Sequence, residues 1–231
     1  MQIDTVVFDL DDTLVDTFSL LVAPLEIEAA RRMVQVAPFL PDPDELAGLV
    51  LELRKADPSV VEQELVRLLP GVTEEVLEAR RQTFTGLAPR RLFIDPRVKR
   101  LLQDLRDRAT LYLLTEGDFD FQNAKIDHLG IRSFFREVVI VPPGPGAKHG
   151  ALVSLLERGR HPPASVVVVG NRLDREIRAG NRLGVATVWV RRGEGSAALP
   201  GKDASLPHHT VDDVAELCQL FDHLCDPKGL A

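Results

Sequence analysis

Cysteine is scarce in this chain, which holds only Cys218 and Cys225. They lie seven residues apart in a segment where Val214, Leu217, Phe221 and Leu224 recur at helical spacing. Two helical turns put their Cα atoms roughly 10 Å apart, beyond disulfide reach, so both are expected as reduced thiols on one apolar face. Positive charge is also short: 28 Lys and Arg stand against 35 Asp and Glu, a formal net charge of −7. Nucleic-acid binding needs a basic footprint, and anionic membrane surfaces repel the same excess of carboxylates, so neither partner is expected. Long apolar runs are missing as well. No stretch approaches the ~20 residues of a membrane helix. The opening MQIDTVVFDLDD lacks the basic stretch and apolar run of a secretory signal, and the expected location is the cytoplasm. Internal repeats are absent.

What is present is the balance of an ordinary globular protein, with 45% hydrophobic and 27% charged residues over 231 positions. That length suits one large domain or two modest ones. TVVFDL is a short β-branched run ending in carboxylates, as expected of a buried strand that delivers acids at its C-terminal end. From about Phe18 to Leu87 the texture is helical. Phe18, Leu21, Val22, Leu25, Ala29, Met33 and Val36 form one stripe, and no strand is expected between Asp16 and Leu92. Asp42-Pro43, Asp57-Pro58 and Asp95-Pro96 each read as a helix start, with Asp as cap and Pro in the first turn. Pro70-Gly71 marks a turn, and another helix begins after Thr73.

Beyond Asp95 helices alternate with the strands TLYLLT, EVVIV, SVVVVG and ATVWV, the pattern of βαβ units with a parallel sheet covered on both faces. The expected fold is therefore α/β: a Rossmann-like parallel sheet, with an α-helical cap domain inserted. Residues 1–15 and 95–231 form the core and residues 16–94 the cap. The insertion leaves just after the acid-bearing strand, at the edge where open parallel sheets bind ligands. A helical module there can exclude water and contribute specificity.

The candidate chemistry sits at strand ends. Asp9 and Asp11 lie two apart on extended backbone and point the same way. Such crowding is relieved by a cation or a shared proton, and hard cations such as Mg²⁺ prefer these oxygens. A solvated acidic turn is the plainer reading of Asp9-Leu10-Asp11-Asp12 taken alone. TLYLLT delivers Thr115, followed by Glu116, Gly117 and Asp118, where a hydroxyl and the N–H groups of a helix start can hold phosphate oxygens. Lys148 follows the PPGPG loop and begins a helix. SVVVVG ends in Gly170, followed by Asn171, Asp174 and Glu176. Each of these is ordinary alone; their order is not.

That order resembles the haloacid dehalogenase-like superfamily, with its D-x-D-x-T motif, a later Ser or Thr, a Lys, and a G-D-x-x-x-x-D segment. Asp9, Asp11 and Thr13 match the first motif in full, Thr115 the second and Lys148 the third. Gly170 and Glu176 match the fourth in part. The resemblance implies a Mg²⁺-dependent phosphatase acting on a small phosphorylated metabolite through an aspartyl-phosphate intermediate. Asp9 would be the nucleophile and Asp11 the acid and base. Thr115, Glu116, Gly117 and Lys148 would surround the phosphoryl group, and Asp9, Asp11 and Asn171 would ligate the metal, supported by Thr13, Asp174 and Glu176. Superfamily members that dehalogenate 2-haloacids lack the second Asp, so Asp11 points to phosphate chemistry.

Asn171 departs from the family pattern, which has Asp there. It keeps a neutral oxygen ligand but removes a charge, so weaker metal binding is expected. Two other readings share these motifs: a phosphotransferase or mutase of the superfamily, and a weakly active regulatory or interaction protein. Receiver domains also cluster acids, Thr and Lys at strand ends, but they are shorter and have no helical insertion after the first strand. Arg172 is read either as a surface residue or as a partner of Asp174. His208 and His209 are expected in a surface loop, PPGPG as a rigid connection, and the RRGEG and PRR segments as solvated faces. No motif encodes the phosphoester or the oligomeric state.

Overall fold

The computed structural model describes residues 3–201 and 205–224. Strand β1 (Thr5–Phe8) is followed by the acidic loop and a π-helical turn, Phe18–Val22. Four helices come next: α1 (Ala23–Val36), α2 (Pro43–Ala56), α3 (Val61–Leu68) and α4 (Glu74–Gln82). The alternating part comprises α5 (Pro96–Arg106), β2 (Thr110–Glu116), α6 (Phe119–Leu129), β3 (Glu137–Val141), α7 (Ala147–Gly159) and β4 (Val166–Gly170). A second π-helical turn, Leu173–Ile177, runs into α8 (Arg178–Arg182). The chain ends in β5 (Ala186–Val190), β6 (His209–Val211) and α9 (Val214–Leu224).

The six strands form one parallel sheet in the order β3-β2-β1-β4-β5-β6. Every connection is a crossover, which is why the strands read as unbroken apolar runs rather than alternating ones. Val6, Phe8, Leu111, Leu113, Val167 and Val169 face one way, onto α5, α6 and α9. Val7, Tyr112, Leu114, Val166 and Val168 face the other way, onto α7 and α8. From β1 the chain moves outward through β2 and β3, then returns to β1's other side with β4. Direction thus reverses beside β1, and the carboxyl ends flanking that reversal are where open α/β sheets hold ligands.

Local chemistry places most elements. Asp42, Asp57 and Asp95 each accept a backbone N–H two residues ahead, at 2.9, 2.9 and 2.7 Å, and Pro follows each. Thr73 precedes α4 without a side-chain capping bond. The region after β1 is helical, with no strand between Asp16 and Leu92. Its helices surround a cluster of their own that includes Met33, Leu46, Val50, Leu65 and Val76. Val36 does not continue the apolar stripe; it is 42% exposed, and Ala30 and Met33 carry the burial instead, because the stripe drifts around the helix.

Two further departures concern the C-terminal part. The segment expected as a loop at His208 and His209 supplies an edge strand, β6, too short to have a strand signature. His208 is tied to β5 through Thr187, whose hydroxyl lies 2.8 Å from Nδ1. Cys218 is half-buried and packs on the sheet core, whereas Cys225 lies outside the described residues. Among the described residues no helix is long and apolar enough to cross a membrane.

Glu26 on α1 is 1% exposed and bonds Arg54 Nε at 2.5 Å and Arg80 Nε at 3.0 Å, tying α1 to α2 and α4. Removing Glu26 strips each buried arginine of its innermost acid and leaves Arg54 only Glu194 and Arg80 only Glu62, at 3.4 Å. Glu26→Ala should therefore destabilise the protein by about 3 kcal/mol in urea unfolding, whereas a loss below about 1 kcal/mol, the range of surface pairs, would mean that the arginines are satisfied without it.

Candidate active site

Asp9 leaves the sheet immediately after β1, its N–H still bonded to the Val169 carbonyl of β4 at 2.9 Å. Its side chain is 4% exposed. Oδ1 accepts from Lys148 Nζ at 2.5 Å and Oδ2 from the Thr13 hydroxyl at 3.2 Å. Lys148 comes from the first turn of α7, which the PPGPG segment delivers through Gly146 at φ 77°. The same ammonium donates to Glu176, whose other oxygen accepts the Arg172 N–H at 2.9 Å. Gly170 is required here by close approach: a Cβ would lie 2.2 Å from Glu176 Cγ. Lys148 thus sits between two carboxylates that β1 and the turn after β4 bring together. Burial pushes the Asp9 carboxyl up to about 7, against the pull of Lys148 and with Glu176 and Asp11 adding to the rise. Lys148 is held above its ordinary value by the two acids, which outweigh the burial that would lower it.

Asp11 has a separate set of partners. Oδ1 accepts from Lys125 Nζ at 2.6 Å and the Thr17 hydroxyl at 2.5 Å, and Oδ2 from Gln122 Nε2 at 2.9 Å. Burial would raise its carboxyl, but Lys125 together with Gln122 and Thr17 holds it below the usual range. Asp12 adopts φ 57°, a conformation tolerated by Asp. It is 3% exposed and accepts the backbone N–H of Phe18 at 2.7 Å and of Glu194 at 3.2 Å.

The remaining expected residues divide. Asn171 is buried, and its Nδ2 donates to the carbonyls of Glu194 at 3.0 Å and Arg192 at 3.4 Å. Two carbonyl acceptors fix the amide nitrogen there and turn Oδ1 the other way. Thr115 is 1% exposed and its hydroxyl has no protein partner. Glu116 lines the cavity, where Oε1 accepts the Gly144 N–H at 3.3 Å and lies 3.8 Å from Arg175; Oε2 is buried without a partner. Gly117 does not present a free donor, because its N–H bonds the Val141 carbonyl at 2.9 Å and extends the sheet ladder. Its lack of a side chain instead admits Gln122, whose Nε2 would be 2.7 Å from a Cβ. Asp174 lies away from the group: it is exposed and pairs with Arg172 at 2.9 Å and Arg175 at 3.4 Å, which settles the partner of Arg172. RRGEG is not a solvated face. Arg192 donates to the Asp12 and Thr13 carbonyls at 3.2 and 3.0 Å and docks that segment on the acidic loop.

Asp9, Asp11, Lys125, Lys148, Asn171 and Glu176 line one cavity of 320 Å³ from the sheet side; Thr115, Gly117 and Asp174 are not in its lining. Leu21, Val22, Leu25, Phe84 and Leu87 line it from the helical side. Sequence reasoning missed Lys125, Gln122 and Thr17. A signal existed for the first two: positions 122, 125, 126 and 129 form the buried stripe of α6, and Gln and Lys are out of place there.

A family model of haloacid dehalogenase-like hydrolases matches residues 3–184. Glyceraldehyde 3-phosphate phosphatase of Methanopyrus kandleri is 30% identical, over 96% of this chain and 99% of that one. Phosphoglycolate phosphatase of Caulobacter vibrioides is 27% identical, over 93% and 90%. Among solved structures, a haloacid dehalogenase-like family hydrolase from Streptococcus pneumoniae superposes with a TM-score of 0.64 at 19% identity, covering 95% of this chain and 98% of that one. That last likeness carries the fold.

The raised Asp9 value has a consequence for stability. The unfolded carboxyl ionises near 3.8, whereas the folded one keeps its proton until about 7. Its contribution is therefore complete below about pH 4 and is lost as pH rises through 7. In EDTA, melting temperature should fall between pH 5 and 8 in wild type and fall less steeply in Asp9→Asn; equal slopes would show Asp9 ionised throughout.

Proposed function

The chain belongs to the haloacid dehalogenase-like hydrolases, and on that footing we propose that it is a Mg²⁺-dependent phosphatase of small phosphorylated metabolites. The observation that carries this reading is the meeting of Asp9, Asp11, Lys148 and Glu176 around one cavity at the carboxyl ends of β1 and β4. The two full-length relatives, named as phosphatases of small phosphoesters, support it.

A carboxylate oxygen of Asp9 attacks phosphorus, and the bond from phosphorus to the substrate oxygen breaks. The electron pair stays on the leaving oxygen, which takes a proton from Asp11, a carboxyl that the negative charge of a phosphoryl group beside it would raise from the low value its own donors give it. Water then attacks the aspartyl phosphate and gives its proton to Asp11. The bond from phosphorus to Asp9 breaks, and both side chains return to their starting states. Lys148 neutralises charge on the transferring group, and the Thr115 hydroxyl, buried and unpaired in the protein at the end of β2, would donate to a phosphoryl oxygen that reached it.

The donor set suits a hard cation: an Asp9 carboxylate oxygen, the Asp11 carbonyl and Asn171 Oδ1 are all oxygens beside one cavity, and would hold Mg²⁺ with waters completing its shell. When bound, the ion offsets the phosphoryl charge. Glu176 holds Lys148, and Thr13 holds Asp9. Residues 16–94 act as a cap that limits the cavity to small substrates. Leu21, Val22, Leu25, Phe84 and Leu87 provide an apolar wall against the non-phosphate end.

Phosphate release from a panel of small phosphoesters should require Mg²⁺, stop in EDTA, and vanish in Asp9→Asn with the fold intact. No release above the variant's background would return weight to transfer chemistry or a non-catalytic role. Asn171→Asp tests the metal ligand separately. It would set a carboxylate oxygen against the Glu194 and Arg192 carbonyls. Metal-free protein should therefore melt lower than wild type, and Mg²⁺ should raise its melting temperature more; equal Mg²⁺ shifts would remove residue 171 from the metal shell.

A further inference from the structure

The α6 pair Gln122 and Lys125 is not explained by the steps above. Lys125 has a side chain 3% exposed, and its ammonium lies 2.6 Å from Asp11, whose side chain is 29% exposed. The pair is thus asymmetric: the cation is packed inside, 4.9 Å from the centre of the Phe121 ring, and the carboxylate opens to the cavity. Burying an ammonium is costly unless its partner needs it there. Gln122 is equally committed. One Nε2 hydrogen goes to Asp11 Oδ2 at 2.9 Å and the other to the Glu116 carbonyl at 3.0 Å, in the space left by Gly117.

The arrangement also distinguishes the two oxygens of Asp11. A carboxylate oxygen has two lone pairs in its plane. On Oδ1 both are used, by Lys125 and by Thr17. On Oδ2 only one is used, by Gln122, and one is open.

We propose that Lys125 and Gln122 are positioning residues that lock the Asp11 carboxyl so that its proton passes to the leaving oxygen through Oδ2. The proposal rests on the phosphatase reading and adds to it the support behind the acid. In the first step the proton on Oδ2 moves to the leaving oxygen as the phosphorus–oxygen bond breaks, and Asp11 is left as the carboxylate that these donors hold.

The test uses the dependence on leaving group. An alkyl phosphate expels a strongly basic alkoxide and needs the proton, whereas 4-nitrophenyl phosphate expels a weak base and hardly does. The quantity to read is kcat/KM at saturating Mg²⁺, because it covers only the steps up to loss of the leaving group. Lys125→Met should lower kcat/KM for glycerol phosphate about 100-fold and for 4-nitrophenyl phosphate less than about fivefold. Asp11→Asn should show the same asymmetry, enlarged.

Gln122→Met removes one neutral donor, keeps the ion pair, and should give a similar asymmetry of about tenfold. It decides the matter if Lys125→Met does not fold. Equal losses on both esters, as a substrate-binding or purely structural lysine would give, overturn the proposal and leave the phosphatase reading standing. Absence of any Asp9-dependent release from wild type overturns both.

Discussion

One ammonium group organises the active end of this protein. Lys148 lies between Asp9 and Glu176, and all three side chains are nearly withdrawn from water. Two buried carboxylates at that separation would repel each other, and a lone buried ammonium would be equally costly. The trio is tolerable because its members come from three elements already fixed by the sheet. β1 supplies Asp9, the turn after β4 supplies Glu176, and α7 supplies Lys148. The order of strands is therefore a condition of the charge balance. With β4 anywhere but beside β1, Glu176 would not reach Lys148.

The second acid is held by different means. Asp9 is buried, paired with a cation shared by another acid, and its carboxyl is pushed up. Asp11 is more open, has three donors of its own, and is pulled down. Residues two apart in the chain thus have opposite environments. The sharp loop between β1 and the first helical turn achieves this by turning Asp11 away from α7 and toward α6.

Much of this was legible in the sequence because it rests on local rules. The parallel sheet follows from the β-branched runs, the helix starts from the Asp-Pro pairs, and the Asp9 cluster from its place at a strand end. What was illegible rests on contacts across the chain. Gly117 reads as a donor for phosphate, yet its amide completes the ladder and its missing side chain seats Gln122. Asp174 shares a motif with Glu176 but lies on the opposite side of a π-helical turn, whose spacing no helical wheel anticipates. RRGEG has the composition of a solvated loop, and only the fold reveals carbonyls waiting for Arg192. Lys125 was hidden for another reason: a lysine on an apolar stripe draws notice only when the stripe itself is scored.

The Glu194 position joins three parts of the molecule. Its N–H bonds Asp12, its carbonyl receives Asn171, and its carboxylate pairs with Arg54 of α2. The next residues extend the seam, Gly195 and Ala197 donating to the carbonyls of Arg54 and Lys55 at 3.2 and 3.0 Å. The helical layer is consequently not an interchangeable module on a generic base. A chimaera that grafts another protein's helices between Asp16 and Leu92 would leave the loop after β5 without its Arg54 and Lys55 partners, loosening the segment that also aligns Asn171 and Asp12. Modularity in this chain has its boundary drawn by Glu194, far along the sequence from either end of the helical segment.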